Sequence, residues 1–273
     1  MSATADIAGH YSKGGLLAKI EDALVATGKD LDALTPEDLH PAEHFHTGGI
    51  KATRRFLDQI AFPPKAAVLD IGCGIGGVSR AIACATDAHI TGIDLTPDFI
   101  STATALSTRV GLADRTRFVV ASATDIPMAD TTFDVAILVH VGMNIPDKAG
   151  VFAQAHRLLK PGGMLAIYEV MEGPSPGPLV LPVPWASQTE GSFLASPGDY
   201  RLLAEDAGFT MTGHRDYREA MIGVRDTAPQ PPAPGPLGPH LMMGPTFPQK
   251  AANYSANLVS GRTTPVEMFF RKE

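Results

Sequence analysis

The sequence predicts an α/β fold of the doubly wound kind, in which a mostly parallel sheet carries helices on both faces. Two observations carry that prediction. From about residue 66 short apolar runs alternate with amphipathic segments, so that the order strand, glycine turn, helix recurs along the chain. The first turn is the glycine-rich run Gly72-Cys73-Gly74-Ile75-Gly76-Gly77, placed where a strand ends and a helix opens. The 273 residues hold one such domain with an added cap, and 44% hydrophobic with 19% charged residues is a composition that fills a core without disulfides or metal.

Each element has its own signal. Residues 1–65 read as a helical cap: Leu16, Leu17, Ile20, Leu24 and Val25 recur at helical spacing, and Thr35-Pro36-Glu37-Asp38 is an N-cap with proline at the first helical position. Residues 66–71 form the first strand and 78–85 its helix. Residues 89–95 form the second strand, followed by a helix opened by Thr96-Pro97-Asp98. Strands over 117–120, 134–141 and 164–170 follow, with a helix over 147–159 between the last two. A helix over 197–207 stops at Gly208 and leads to a strand over 209–217. The prolines of 228–240 exclude helix and central strand, so about 227–248 is read as an insertion, a lid, within a domain spanning 66–273. A helix over 249–259 and a last strand over 266–271 close the chain.

Charge and cysteine content narrow the partners. A formal charge of −7 disfavours nucleic acid, whose phosphates call for Lys and Arg, and leaves small molecules as the expected ligands. The two cysteines, Cys73 and Cys84, form neither a disulfide framework nor a zinc-ligand spacing, which fits a reducing compartment. The N-terminus lacks a basic segment followed by an apolar one, and no apolar run reaches the length of a membrane span. The expectation is a cytoplasmic monomer or homodimer with no membrane partner.

The glycine run carries the chemistry. Its glycines let the backbone turn sharply and let a ligand approach without Cβ obstruction. Asp94, ending the second strand, suits the two ribose hydroxyls of an adenosine, a feature shared by nicotinamide and S-adenosylmethionine sites. Asp70 separates the two: a carboxylate two residues before the first glycine repels a pyrophosphate and attracts an ammonium. The alternative role for Asp70 is a turn cap.

The run Asp70-Ile-Gly-Cys-Gly-Ile-Gly, the segment Thr91-Gly-Ile-Asp94, Ser122-Ala-Thr-Asp-Ile-Pro-Met ahead of Phe133-Asp134, and Leu159-Lys-Pro-Gly-Gly163 together resemble the class I S-adenosylmethionine-dependent methyltransferases. The resemblance covers roughly residues 45–217 and implies a seven-stranded sheet with an antiparallel last strand. It further implies that Asp70, Gly72, Cys73, Gly74, Gly76, Asp94, Leu95, Ser122, Ala123, Ile126 and His140 bind S-adenosylmethionine. Gly72–Gly76 would lie under the methionine part, Asp94 at the ribose, and Ala123 and Ile126 at the adenine. Where many relatives have Asp, this chain has Ser122, which still accepts one hydrogen bond. Phe45-His-Thr-Gly-Gly-Ile, Pro182-Val-Pro-Trp-Ala and Met268-Phe-Phe-Arg-Lys are similar to small-molecule methyltransferases of the glycine, sarcosine and dimethylglycine N-methyltransferase group. Relatives that methylate sugar oxygens often carry His-His after the fourth strand. This chain has His140-Val-Gly-Met143-Asn144 there, which argues against an oxygen acceptor; a nitrogen acceptor is expected, with oxygen or carbon as the alternative.

Methyl transfer from a sulfonium needs alignment foremost and a base only to keep the acceptor neutral. His140 and Glu169, at the carboxyl ends of the fourth and fifth strands, are the candidates to touch substrate, with a packed histidine and a loop cap as the alternatives. Asn144 could orient an amine or cap its turn. Tyr11 is a candidate lid residue. His40, Glu43, His44 and His46 form a cluster, but Pro41 disfavours the helix that would align 40 with 44. No metal is therefore expected, and one of these histidines is expected at the acceptor pocket. Trp185 could face an amine, and Met221, Leu241, Met242, Met243 and Phe247 could wall the pocket or pack beneath the insertion. Two other classes compete with the enzyme reading: a non-catalytic regulatory protein that keeps the cofactor site and offers the proline stretch to a partner, and a nicotinamide dehydrogenase, which would not call for Asp70.

Overall fold

The computed structural model describes residues 15–227 and 235–273. Its centre is a seven-stranded sheet made of β1 (Ala67–Ile71), β2 (His89–Asp94), β3 (Thr116–Val120), β4 (Phe133–Val139), β5 (Leu159–Glu172), β6 (Phe209–Asp216) and β7 (Thr263–Lys272). The order is β3-β2-β1-β4-β5-β7-β6. The first five strands are parallel, and β7 runs antiparallel to both β5 and β6.

Period-two alternation distributes these strands between two cores. Leu69, Ile71, Ala136, Leu138, Leu165 and Ile167 pack on one face, while Val68, Val135, Ile137, Ala166 and Tyr168 pack on the other. Helices cover both faces, as a parallel sheet buried on two sides requires: α4 (Gly77–Ala85), α5 (Pro97–Arg109), α6 (Lys148–Leu158) and α7 (Pro197–Asp206). Strand order reverses between β1 and β4, which opens a crevice at the carboxyl ends of the strands.

The N-terminal segment supplies α1 (Leu16–Ala26), α2 (Pro36–Glu43) and α3 (Gly49–Leu57). Leu16, Ile20 and Leu24 of α1 meet Ile75, Phe99 and Leu106, and Phe56 of α3 stacks on Phe269 at 5.7 Å between ring centroids. Helix α2 corrects the expectation drawn from Pro41, because the helix continues through that proline. Asp38 Oδ2 accepts from both the backbone N–H and the hydroxyl of Thr35, each at 2.9 Å, and His44 N–H still reaches His40 O at 3.4 Å. With its start secured in this way and Leu39 and Ala42 fully packed, the helix absorbs the one bond that proline cannot make.

Beyond β6 the chain forms α8 (Arg218–Thr227), α9 (His240–Met243) and α10 (Phe247–Val259). Helix α8 lies where the sequence reading has no element. Most of the proline stretch, 228–234, and Tyr11 lie outside the described residues.

Candidate active site

At the carboxyl ends of β1, β2 and β4 lies a cavity of about 290 Å³. Its floor is the glycine loop. Gly72 and Cys73 both donate backbone N–H to Ile93 O, at 2.8 and 2.9 Å, which stitches the loop to the end of β2. Gly72 holds φ 73°, and a Cβ there would come within 2.3 Å of Val141 Cγ2. Only glycine meets both demands. Gly74 also has positive φ and lines the cavity, with the Phe45 ring 3.7 Å from where a Cβ would stand. Gly76 serves a different purpose from the expected ligand contact: it starts α4 from outside the cavity lining, and a Cβ on it would collide with Arg80 and Phe118.

Asp94 bridges two loops. Its Oδ2 accepts from Gly74 N at 3.1 Å and its Oδ1 from Thr96 N at 2.9 Å, and the residue lines the cavity. Burial pushes its carboxyl up, against the pull of these N–H groups. Asp70, buried beneath the loop, accepts from Ser79 Oγ at 2.6 Å, and burial raises its pKa to about 6. Leu95 and Cys73 line the same cavity, and burial holds the Cys73 thiol protonated. Ser122, Ala123 and Thr124 form the far wall. Ser122 Oγ is engaged with Thr124 Oγ1 at 2.9 Å. Ile126 departs from its expected place at a ring: it is buried in the main core, and Thr124 occupies the wall instead.

His140 ends β4 with φ 54°, a left-handed conformation that is costly for a non-glycine residue. Its N–H donates to Tyr168 O at 2.9 Å, its ring lies 4.8 Å from that of Tyr168, and its Nε2 is buried with no hydrogen-bond partner. Burial pushes its pKa down to about 3, so the ring is neutral. Glu169 is bound to the loop that follows β4. It is fully buried, lines neither cavity, and its Oε1 accepts from Val141 N at 2.8 Å and Gly142 N at 2.9 Å. Burial raises its pKa to about 8. Asn144 donates from Nδ2 to Trp185 O at 2.8 Å and so ties two loops together.

A second cavity, of about 150 Å³, adjoins the first. Phe45, His46, His140 and Asn144 line both. Its remaining wall is apolar and aromatic, with Met143, Val170, Trp185, Met243, Phe247 and Tyr254. Trp185 is fixed by donation from Nε1 to Ser192 Oγ and by edge contact with Tyr254. Of the methionines flagged from sequence, Met243 reaches this wall, whereas Met242 packs against α1. Among the histidines of 40–46, His46 is the one at the cavities. Thr53 Oγ1 lies 2.8 Å from its Nε2, and burial holds its pKa well below the ordinary value. Phe45 and Glu43 of the lead-in segment, and Phe99 and Asp147, are lining residues that sequence reasoning did not select. The motif Phe45-His-Thr-Gly-Gly was the available signal for the first of these.

The doubly wound sheet, its glycine loop and an acidic residue at the end of β2 agree with the resemblance to the class I S-adenosylmethionine-dependent methyltransferases, and the comparisons with known proteins run the same way. Residues 69–167 match the methyltransferase domain family. The chain is 34% identical over 183 residues to phosphoethanolamine N-methyltransferase 1 of Arabidopsis thaliana, covering 65% of this chain and 35% of that protein. It is 35% identical over 129 residues to sterol 24-C-methyltransferase erg-4 of Neurospora crassa, covering 47% and 34%. The chain thus spans about a third of the length of these curated relatives. The fold superposes on geranyl diphosphate C-methyltransferase of Streptomyces coelicolor A3(2) with a TM-score of 0.72, 15% identity, and coverage of 100% and 99%.

Proposed function

We propose that this chain transfers a methyl group from S-adenosylmethionine to a small, largely apolar amine held neutral in the smaller cavity. The observation that supports this most is the division of charge between the two cavities. Asp70, Asp94 and Asp147 line the larger one, and among the described residues no carboxylate lines the smaller. A ligand carrying an ammonium and a sulfonium is matched on the acidic side, while a permanently cationic acceptor finds no counter-charge on the other.

The cofactor supplies, when bound, an electrophilic methyl on its sulfonium. Gly72–Gly74 would hold its methionine part, with Asp70 close beneath. Asp94 would accept from the ribose hydroxyls, and Ser122, Ala123 and Thr124 would flank the adenine. Phe45, His46, His140 and Asn144, shared by both cavities, surround the place where acceptor and methyl would meet. His140 lines both cavities, and in the tautomer with its proton on Nδ1 its unpartnered Nε2 would orient an N–H by accepting from it. A histidine with pKa about 3 is too weak a base to ionise a hydroxyl, but a neutral amine needs no deprotonation before attack. The buried surroundings disfavour the ammonium form and keep the amine nucleophilic.

The test is a panel of apolar primary and secondary amines, each paired with its alcohol or phenol analogue. All are incubated with methyl-labelled S-adenosylmethionine and read by mass spectrometry for the increment of one CH₂. Methylation of amines in preference to their oxygen analogues is expected. Turnover confined to the hydroxyl compounds overturns the nitrogen reading, and cofactor binding without turnover on any acceptor would favour the regulatory alternative.

A further inference from the structure

We infer that His40, Glu43 and His44 form a divalent transition-metal site whose donor set suits zinc(II). Because α2 runs on through Pro41, His40 and His44 stand one turn apart on the same side of the chain, with Glu43 beside them. One ligand atom from each of the three lies within 4.8 Å of the other two. Glu43 and His44 are 5% and 6% exposed, and Glu43 Oε1 and His44 Nε2 are both buried without a hydrogen-bond partner. These two atoms face each other at 3.5 Å. Two ligands of a tetrahedral ion with bonds of about 2.1 Å stand roughly 3.4 Å apart, so this pair already has the required separation. His40 is half-buried and would take the third position, leaving a fourth for water.

The opposite side of each buried ligand is held. Glu43 Oε2 accepts from Arg80 Nε at 3.0 Å, and His44 Nδ1 lies 3.1 Å from Thr53 Oγ1. Such outer contacts fix the orientation of ligands and direct their free lone pairs to the ion. Two imidazoles and a carboxylate, with no thiolate, form a set that zinc accepts and that magnesium or calcium, which prefer all-oxygen shells, does not favour. The ion would clamp the end of α2 next to Phe45 and His46, which wall both cavities. The site is therefore a structural clip for the lead-in segment, at some remove from the reacting atoms.

Metal binding can be measured without any methyl acceptor, so its outcome is separable from that of the amine panel. The full chain, free of any histidine tag and stripped with a chelator, is titrated with zinc chloride by calorimetry and by competition with a chromophoric chelator. One ion per chain with sub-micromolar affinity is expected, together with a rise in melting temperature. His40→Ala, whose side chain is half-exposed, should keep the circular dichroism spectrum and chelated melting temperature of the parent yet bind zinc more than about tenfold more weakly, and Thr53→Val should lose about tenfold through the outer contact. His89→Ala, on an exposed strand residue, is the control that should bind as the parent. X-ray absorption of the loaded protein should show nitrogen and oxygen ligands only. Absence of stoichiometric binding, binding that survives His40→Ala, or sulfur in the coordination shell would each overturn the site. In that event Glu43 and His44 are simply partners in a long hydrogen bond.

Discussion

Replacing Asp94 with alanine separates a ligand contact from a structural one. The carboxylate accepts two backbone N–H groups, from Gly74 and Thr96, and in the ribose assignment each oxygen would also accept from a hydroxyl. Hydrogen bonds to a charged acceptor contribute about 1.5–3 kcal/mol each, which sums to about 3–6 kcal/mol for two hydroxyls. Sharing each oxygen with an N–H weakens its second bond, so about 2–4 kcal/mol, around the low end of that sum, is the expectation. That is a loss of cofactor affinity of roughly 30- to 1000-fold. Calorimetric titration of parent and variant with S-adenosylhomocysteine, and with its analogue lacking the ribose 3′-hydroxyl, forms a double-mutant cycle. The parent should lose about tenfold on the analogue, while Asp94→Ala should lose nothing further. The variant should also unfold more easily, by about 1–3 kcal/mol, since two loop N–H groups lose their acceptor. A folded variant whose affinity stays within about threefold of the parent, or one that still discriminates against the deoxy analogue, would refute the ribose assignment.

Three further perturbations test other parts of the site. Gly72→Ala places a methyl 2.3 Å from Val141 Cγ2 at a positive φ and should cost about 2–4 kcal/mol of stability in urea unfolding, with cofactor affinity reduced alongside. Arg80→Ala leaves Glu43 charged, buried and unpaired, and should cost about 3–5 kcal/mol, measurable as a lowered urea midpoint. Glu169 has a folded pKa of about 8 against an ordinary 4.5, so its favourable contribution is complete below the unfolded value and is lost as pH rises through about 8. Glu169→Gln should therefore flatten the decline in stability from about pH 4.5 to 8 and be relatively more stable than the parent at pH 9, as thermal melts across that range would show. An unchanged slope would mean that Glu169 is ionised in the fold.

How much of this was legible in the sequence depends on the range over which each determinant acts. The strands, the glycine loop and Asp94 were readable because their signals are local. Period-two alternation assigns Leu69 and Val68 to opposite cores, and a positive φ at Gly72 is a demand of a few adjacent residues. The resemblance to the methyltransferases rests on several such local runs taken in order. Helix α2 illustrates the limit: Pro41 argues against a helix locally, yet packing of Leu39 and Ala42 outweighs the single lost bond. That reversal is what brings His40, Glu43 and His44 together.

The roles at the site were decided by contacts between residues far apart in the chain. Glu169 and His140 both read as ends of parallel strands in the sequence, whereas in the structure β5 continues to Glu172. Glu169 accepts from the N–H groups of Val141 and Gly142, while His140 lines the cavities and its Nε2 has no partner. Ile126 was drawn into the core and Gly76 under Phe118 because apolar and close-packed positions compete with ligand contact for the same residues. The sequence by itself determined the sheet and the glycine loop, through backbone requirements that few residues satisfy. The tertiary structure alone decided which charges share a cavity, because burial and counter-charge depend on neighbours that Phe45, Trp185 and Tyr254 bring from three separate stretches of the chain.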